Sequence, residues 1–355
     1  MNDKLDSKSV NKKLDNGKLD NGKLDNGKMS YLSKICFDCL KGYFALCVLF
    51  HHLYQFTGIF VNTKIEMVFK YLGYYSVAMF IFISGFGLYE SLSLKGDEYL
   101  KKFPFKRILS FYFIYCILAA IYFVYDLCLG IVHSFKELLY TLTYGGTVIS
   151  FGWYLQLNLL MYIVFYLIFK FVKISKLRSL FIALLAIGFY VFNYLSGTPE
   201  YLYTPVIFFV FGILFARNKE FIDKALSKFH VLIFIVSFLI FAAGLISIRR
   251  YLYLIPNVAV PMVYTVSGLF FIISIITLAR FSMNHAKGII VNPVSKFYGI
   301  ISLEIYAFQG IVLRTLAMFN INKYIFILLA IICCTLIAIP FNRLFNLLQK
   351  KIFRK

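Results

Sequence analysis

The chain has 355 residues, 61% of them apolar and only 15% charged. Soluble domains average about 45–50% apolar and about 25% charged, so an ordinary water-soluble fold is excluded. The net charge of +21 comes from 37 Lys and Arg against 16 Asp and Glu, yet no soluble basic domain is left over to hold nucleic acid, and no such partner is expected.

Residues 1–34 are polar and contain three copies of Lys-Leu-Asp-Asn-Gly, starting at Lys13, Lys18 and Lys23. A period of five fits neither helix nor strand and Asn-Gly favours turns, so this segment reads as a disordered cytoplasmic tail without chemistry. Such a start is not a cleavable leader, and the first apolar helix is expected to direct insertion. Ten apolar runs follow, near 35–56, 67–91, 105–130, 152–171, 179–195, 203–217, 231–248, 261–281, 297–317 and 323–345. Their lengths are those a hydrocarbon layer of about 30 Å requires of helices. The expected fold is therefore all-α and polytopic, with about ten transmembrane helices over 35–345 and a basic tail at 346–355. The seven cysteines, nearly all inside these runs, give no disulfide framework.

With the N-terminus placed in the cytoplasm, loops on that side collect Lys95, Lys101, Lys102, Lys106 and Arg107, then Lys170, Lys173, Lys176 and Arg178. Later loops on the same side add Arg217, Lys219, Lys224, Lys228, Arg280, Lys287 and Lys296. The opposite side has mainly Lys64, Lys136, Arg249, Arg250 and Lys323. This is the positive-inside pattern, which predicts two cytoplasmic termini and a multi-pass protein of the bacterial plasma membrane. Arg249-Arg250, beside Tyr251 and Tyr253, reads either as interfacial snorkelling or as a contact to an external anionic acceptor.

An ionisable side chain inside a span is costly and faces the bundle interior, which makes each one a functional candidate. The richest run extends from Asp38 to His52. Lys41 and His52 lie three helical turns plus about 20° apart, so they share a face about 16 Å apart along the axis. His51 points roughly 80° away from that face. A neutral buried imidazole is the usual general base near pH 7, which fits His52; the plainer reading makes both histidines core or interfacial residues satisfied by hydroxyls.

Lys41 through His52 resembles the Arg-x10-His signature in the first helix of the membrane acyltransferase family 3. Val77-Ala78-Met79-Phe80-Ile81-Phe82-Ile83-Ser84-Gly85-Phe86-Gly87-Leu88 is similar to that family's second-helix segment "V-x-x-F-F-x-x-S-G-F-x-L". Gly152-Trp153-Tyr154-Leu155 with Leu160-Met161-Tyr162 resembles its "W-Y/F-L…Y" helix, and Ser302-Leu303-Glu304-Ile305-Tyr306-Ala307-Phe308-Gln309 its late "S-x-x-I-Y-L-x-H" segment. The four motifs occur in family order and cover most of 35–345. The resemblance implies transfer of an acyl group, often acetyl from acetyl-CoA, to a hydroxyl of an extracytoplasmic glycan, lipid or secreted metabolite. It implies no bound cofactor and no metal, with acyl-CoA as co-substrate.

Carried across residue by residue, the resemblance makes His52 the catalytic histidine and gives Lys41 the place of the arginine, without the bidentate fork. The family's Arg-x-x-Arg before its third helix reads here Pro104-Phe105-Lys106-Arg107; Arg107 matches, and Lys101, Lys102 and Lys106 supply charge near the missing arginine. Gln309 stands where many relatives have His. Ser84 lacks an evident activating base and is assigned support rather than nucleophilic attack. The small residues after it suit close helix approach or room for a pantetheine or acyl chain. Cys36-x-x-Cys39 lacks the second pair a metal site needs. Glu304 would orient His52 or Lys41 or neutralise a cation, with His51, Tyr306 and Gln309 as further support. Trp153, the only tryptophan, suits an interfacial belt or a sugar face equally, and Arg314 joins it as a candidate acceptor contact. Polar residues in spans also fit an exporter of polysaccharide or lipid-linked sugar, although no internal repeat or paired broken helices support one. The changes at Lys41 and Gln309 are compatible with an inactive relative.

Overall fold

Backbone donors and acceptors in a bilayer must be satisfied within the segment itself, and the apolar runs accordingly form helices. The computed structural model describes residues 30–251 and 254–353; the pentapeptide repeats and the last two residues lie outside them. Among the described residues there are no strands. Helix α1 (Lys34–Thr57) begins at Ser33, whose side chain accepts from Cys36 N–H. Helix α2 (Glu66–Phe103) runs through a π-helical turn (Pro104–Leu109) into α3 (Ser110–Cys128). There follow α4 (Phe135–Leu142), α5 (Trp153–Phe171), α6 (Ser175–Leu195), α7 (Glu200–Tyr203), α8 (Val206–Arg217), α9 (Lys219–Arg250) and α10 (Val260–His285). The last elements are α11 (Lys287–Ile290), α12 (Pro293–Ile300), α13 (Ser302–Ala317) and α14 (Lys323–Phe353).

Among the described residues eight helical stretches are long and apolar enough to cross a membrane, or nine if α12 and α13, bent by 70°, form one span. The sequence led to an expectation of ten. The runs 67–91 and 105–130 lie in one stretch of 63 residues, Glu66–Cys128, which enters the eight once although its length of about 94 Å has room for two crossings of a layer of about 30 Å. Two helical segments meet there across a kink at Gly96, which has φ 56° and ψ −145°. Pro104, which has no N–H to give the preceding turn, begins the π-helical turn directly after Phe103. Residues 346–353 continue α14.

Glycines set the helix spacing. A Cβ on Gly42 of α1 would lie 2.1 Å from Ser295 O, and one on Gly299 of α12 would lie 1.9 Å from Asp38 O. The same reciprocal arrangement joins α2 to α8: a Cβ on Gly85 would meet Phe209 O at 2.2 Å, and one on Gly212 would meet Phe82 O at 2.3 Å. Lipid tails are as apolar as leucine, so helices associate through such close backbone contact rather than by hydrophobic drive. Gly85 therefore serves helix approach. Beyond the bend, Leu49 and Leu53 of α1 pack with Ile305 and Leu313 of α13 and with Ala330 and Cys334 of α14.

One end of the bundle gathers the basic loops. Lys219 Nζ binds Glu90 at 2.8 Å, Arg217 donates to Ser179 Oγ at 2.6 Å, and Arg178 Nε donates to Val172 O at 2.6 Å. Asp223 pairs with Arg280 and accepts the Tyr31 hydroxyl at 2.9 Å. Burial, then the Asp223 carboxylate, hold the Tyr31 phenol above its ordinary pKa. α1 leaves this end and carries His52 about 27 Å along the axis from Lys34.

Gly299→Val should separate α1 from α12 and destabilise the protein by about 1–3 kcal/mol or more, as forced overpacking does. Thermal unfolding in detergent reads the loss. Gly87→Ala is the control, because a Cβ there meets nothing within 4 Å. Equal midpoints for the two variants would refute the close contact.

Candidate active site

His52 lies five residues before the end of α1 and is buried, 8% exposed. Its Nδ1 is 2.9 Å from Gln55 Oε1, one helical turn on. His51 Nδ1 is 2.9 Å from Phe69 O of α2, and Gln55 Nε2 is 3.1 Å from His51 Nε2. Gly73 makes room for the His51 ring, since a Cβ there would come within 2.3 Å of it. One face of the His52 ring is covered by Phe151, stacked at 3.6 Å and 19°. Phe151 has φ 64°, in the left-handed region that non-glycine residues rarely occupy. The Tyr306 hydroxyl of α13 donates to Phe151 O and pins it there. Such strain is held only where surrounding contacts over-determine it.

Tyr306 joins Gln309 in the same helix. Gln309 is fully buried; its Nε2 donates to Tyr306 O at 3.1 Å, while Oε1 has no partner among the described residues. The Tyr154 ring meets Tyr306 edge-on at 5.1 Å. Asn158 Nδ2 donates to the Tyr154 hydroxyl at 3.3 Å, and Ser84 Oγ donates to Asn158 Oδ1 at 3.0 Å and lies 3.3 Å from the Tyr162 hydroxyl. Tyr162 in turn lines a small solvent-open cleft of about 100 Å³ with Lys106, Arg107, Ser110, Gln349 and Phe353. A polar row thus crosses the interior from a cationic cleft to the surroundings of His52, covering about 12 Å along α5 alone.

The remaining expected residues are placed as follows. Lys106 and Arg107 enter the cleft from the π-helical turn, a local irregularity often found at functional sites. Lys102 points away into an exposed pair with Glu98 at 2.5 Å, and Lys41 pairs with Asp38 at 3.0 Å rather than lining the cleft. Glu304 is 3% exposed and accepts from Asn342 Nδ2 at 3.1 Å, on the side facing α14. Trp153 opens α5 two residues after Phe151 and meets Tyr201 edge-on at 5.8 Å. The Arg314 guanidinium binds buried Asp126 at 2.6 Å, and His133 Nε2 reaches the other Asp126 oxygen at 2.7 Å.

Gln55, Phe151, Asn158 and Asp126 were not singled out from the sequence. Gln55 carries a readable signal, because i+3 and i+4 from two histidines are the neighbouring positions on a helix. Nothing in the sequence marks Phe151, whose role comes from a loop folded back on α1.

A family model described as an acyltransferase domain, that of acyltransferase 3, matches residues 34–344. The chain belongs to the acyltransferase 3 family. No curated protein and no solved structure matches it. The match begins at the first residue of α1 and ends inside α14, so it takes in His52, Phe151 and Tyr306, whereas Gln349 and Phe353 of the cleft lie beyond it. As a member of the acyltransferase 3 family, the chain is a multi-pass membrane protein of acyltransferase type.

Arg314→Met would leave the buried Asp126 carboxylate with His133 alone as its side-chain partner among the described residues. Removing one partner of a buried ion pair costs about 3–5 kcal/mol. Thermal unfolding should show that loss, and Asp126→Asn in the same chain should recover most of it. Unchanged stability in Arg314→Met would mean that the pair does not hold α13 to α3.

Proposed function

We propose that this acyltransferase moves an acetyl or other short acyl group from acyl-CoA to a hydroxyl of an extracytoplasmic glycan, lipid or secreted metabolite. His52 is the general base. Its Nε2 takes the proton of the acceptor hydroxyl as the oxygen attacks the thioester carbonyl. The carbon–sulfur bond then breaks, and the proton passes from His52 to the leaving thiolate, releasing free CoA thiol. The observation that carries this reading is the fixed imidazole of His52, ring-stacked on Phe151, with Nε2 unengaged among the described residues.

Both termini are assigned to the cytoplasm, following the loop charges. The basic end of the bundle then faces CoA, whose phosphates meet Lys106 and Arg107; Lys41 and Lys102 add charge farther out. The thin pantetheine arm follows the row of Tyr162, Ser84 and Asn158 inward and delivers only the acyl end. The acceptor enters from the opposite end, where Gln55 is exposed and Trp153 and Arg314 stand nearby in sequence from the loop and helix that frame His52.

His52→Ala should lower turnover by about 10²–10⁴-fold, the usual worth of a general base, with folded protein still in the membrane. His51→Ala should be milder. Thiol release from acetyl-CoA by purified protein, with envelope extract as acceptor, measures both. Full activity in His52→Ala would remove the proposed base.

Sidedness gives a second test. In sealed right-side-out vesicles, acetyl-CoA loaded inside should acylate an external acceptor, and acetyl-CoA supplied only outside should give no product. Efficient reaction with both substrates outside would overturn the through-membrane arrangement and leave a one-sided enzyme.

A further inference from the structure

Four groups on α1 and α2 form a hydrogen-bonded row whose polarity is fixed at one end. Phe69 O is a carbonyl and only accepts, so His51 Nδ1, 2.9 Å away, carries a proton. A neutral His51 then has a bare Nε2, which must accept, and Gln55 Nε2 at 3.1 Å is the donor. That orientation turns the Gln55 carbonyl oxygen to His52, where it accepts from Nδ1–H at 2.9 Å. The lone pair of His52 is left on Nε2. The reversed amide would present its NH2 to His52 Nδ1 and its oxygen to His51 Nε2. It would therefore force His51 to hold protons on both nitrogens, making a cation with no carboxylate in hydrogen-bond reach.

We propose that Gln55, itself oriented by His51, is a positioning residue that holds His52 as the Nδ1–H tautomer with Nε2 open to the acceptor hydroxyl. His51 thereby acquires a task although its ring points away from the site: it sets which end of the amide faces its neighbour. Its catalytic meaning rests on the acyl-transfer reading above; the tautomer does not. Groups that would otherwise bias His52 are engaged elsewhere. Glu66 accepts from Tyr54, Glu304 from Asn342, Tyr306 donates to Phe151 O, and Arg314 is held by Asp126.

The test uses the full chain in lipid nanodiscs with ¹⁵N-labelled histidine. Nitrogen spectra at neutral pH should show both α1 histidines protonated on Nδ1 and bare on Nε2. Gln55 is exposed near the end of α1, so its substitution does not disturb the core. Gln55→Leu should give a mixture of His52 tautomers and about a tenfold fall in kcat, with the acyl-CoA KM unchanged. Gln55→Glu keeps an acceptor opposite Nδ1–H but loses the donor to His51 Nε2; it should hold His52 as the Nδ1–H tautomer, with a kcat between those of wild type and Gln55→Leu. Its carboxylate favours the imidazolium, so the acid limb of its pH–rate profile should move to higher pH. A purely structural role for Gln55 would leave the His52 tautomer unchanged in Gln55→Leu. A wild-type His52 protonated on Nε2, or a Gln55→Leu protein with wild-type kcat and pH profile, would overturn the proposal. A wild-type protein inactive with every acyl-CoA would sink the acyl-transfer reading alone, and the nitrogen spectra would still decide the tautomer.

Discussion

The backbone contact between Gly42 and Gly299 is the constraint on which the rest of the bundle depends. With no side chain on either residue, α1 and α12 approach until carbonyl and Cα nearly touch, and the bent pair α12–α13 is seated on α1 at that point. Because the bend follows immediately, the direction of α13 is set by where α12 is anchored. α13 carries Tyr306, and Tyr306 holds Phe151 in its strained backbone over His52. A contact in the first half of α1 therefore governs the roof of the site about ten residues farther along the same helix. In a lipid interior this kind of leverage is available because packing, not hydrophobic drive, decides where helices sit.

The fold class was legible in the sequence because apolar run length is a direct physical requirement of the bilayer. The dip Lys95-Gly96-Asp97-Glu98 reads from sequence as a break between two runs, and the structure has a kink at Gly96 there; what hydropathy did not reveal is that the backbone on both sides of the kink is helical. At the site, His52 was legible from its spacing to Lys41 and from the family motif. The spacing was less informative for Lys41 itself, which shares a helix face with His52 in projection but forms a local pair with Asp38. Periodicity reports faces of one helix and is silent about which neighbour covers each face. That is why Asp126 as partner of Arg314, and Asn342 as partner of Glu304, were invisible beforehand: each pair joins residues more than thirty positions apart.

The departures from the family pattern have a structural setting. Where relatives place arginine before the third helix, Pro104 opens a π-helical turn that brings both Lys106 and Arg107 to one cleft, so a wider turn accompanies the lost guanidinium. The cleft is completed by Gln349 and Phe353, on a part of α14 that reads from sequence as a tail. Gln309, in place of histidine, cannot exchange a proton; its Nε2 donates to Tyr306 O, and its Oε1 has no partner among the described residues.

The proton arrangement along His51, Gln55 and His52 has an electrical consequence. All three side chains are neutral in it, and Asp126 opposite Arg314 cancels to zero nearby. In the proposed reaction an acyl group leaves the sulfur for the acceptor while a proton takes its place on the sulfur, so the exchange moves no net charge. A membrane potential acts at about 2.3 kcal/mol per elementary charge per 100 mV, and this chemistry offers it no charge to pull. Under that reading the acyl transfer step would proceed at the same rate in energised and de-energised membranes.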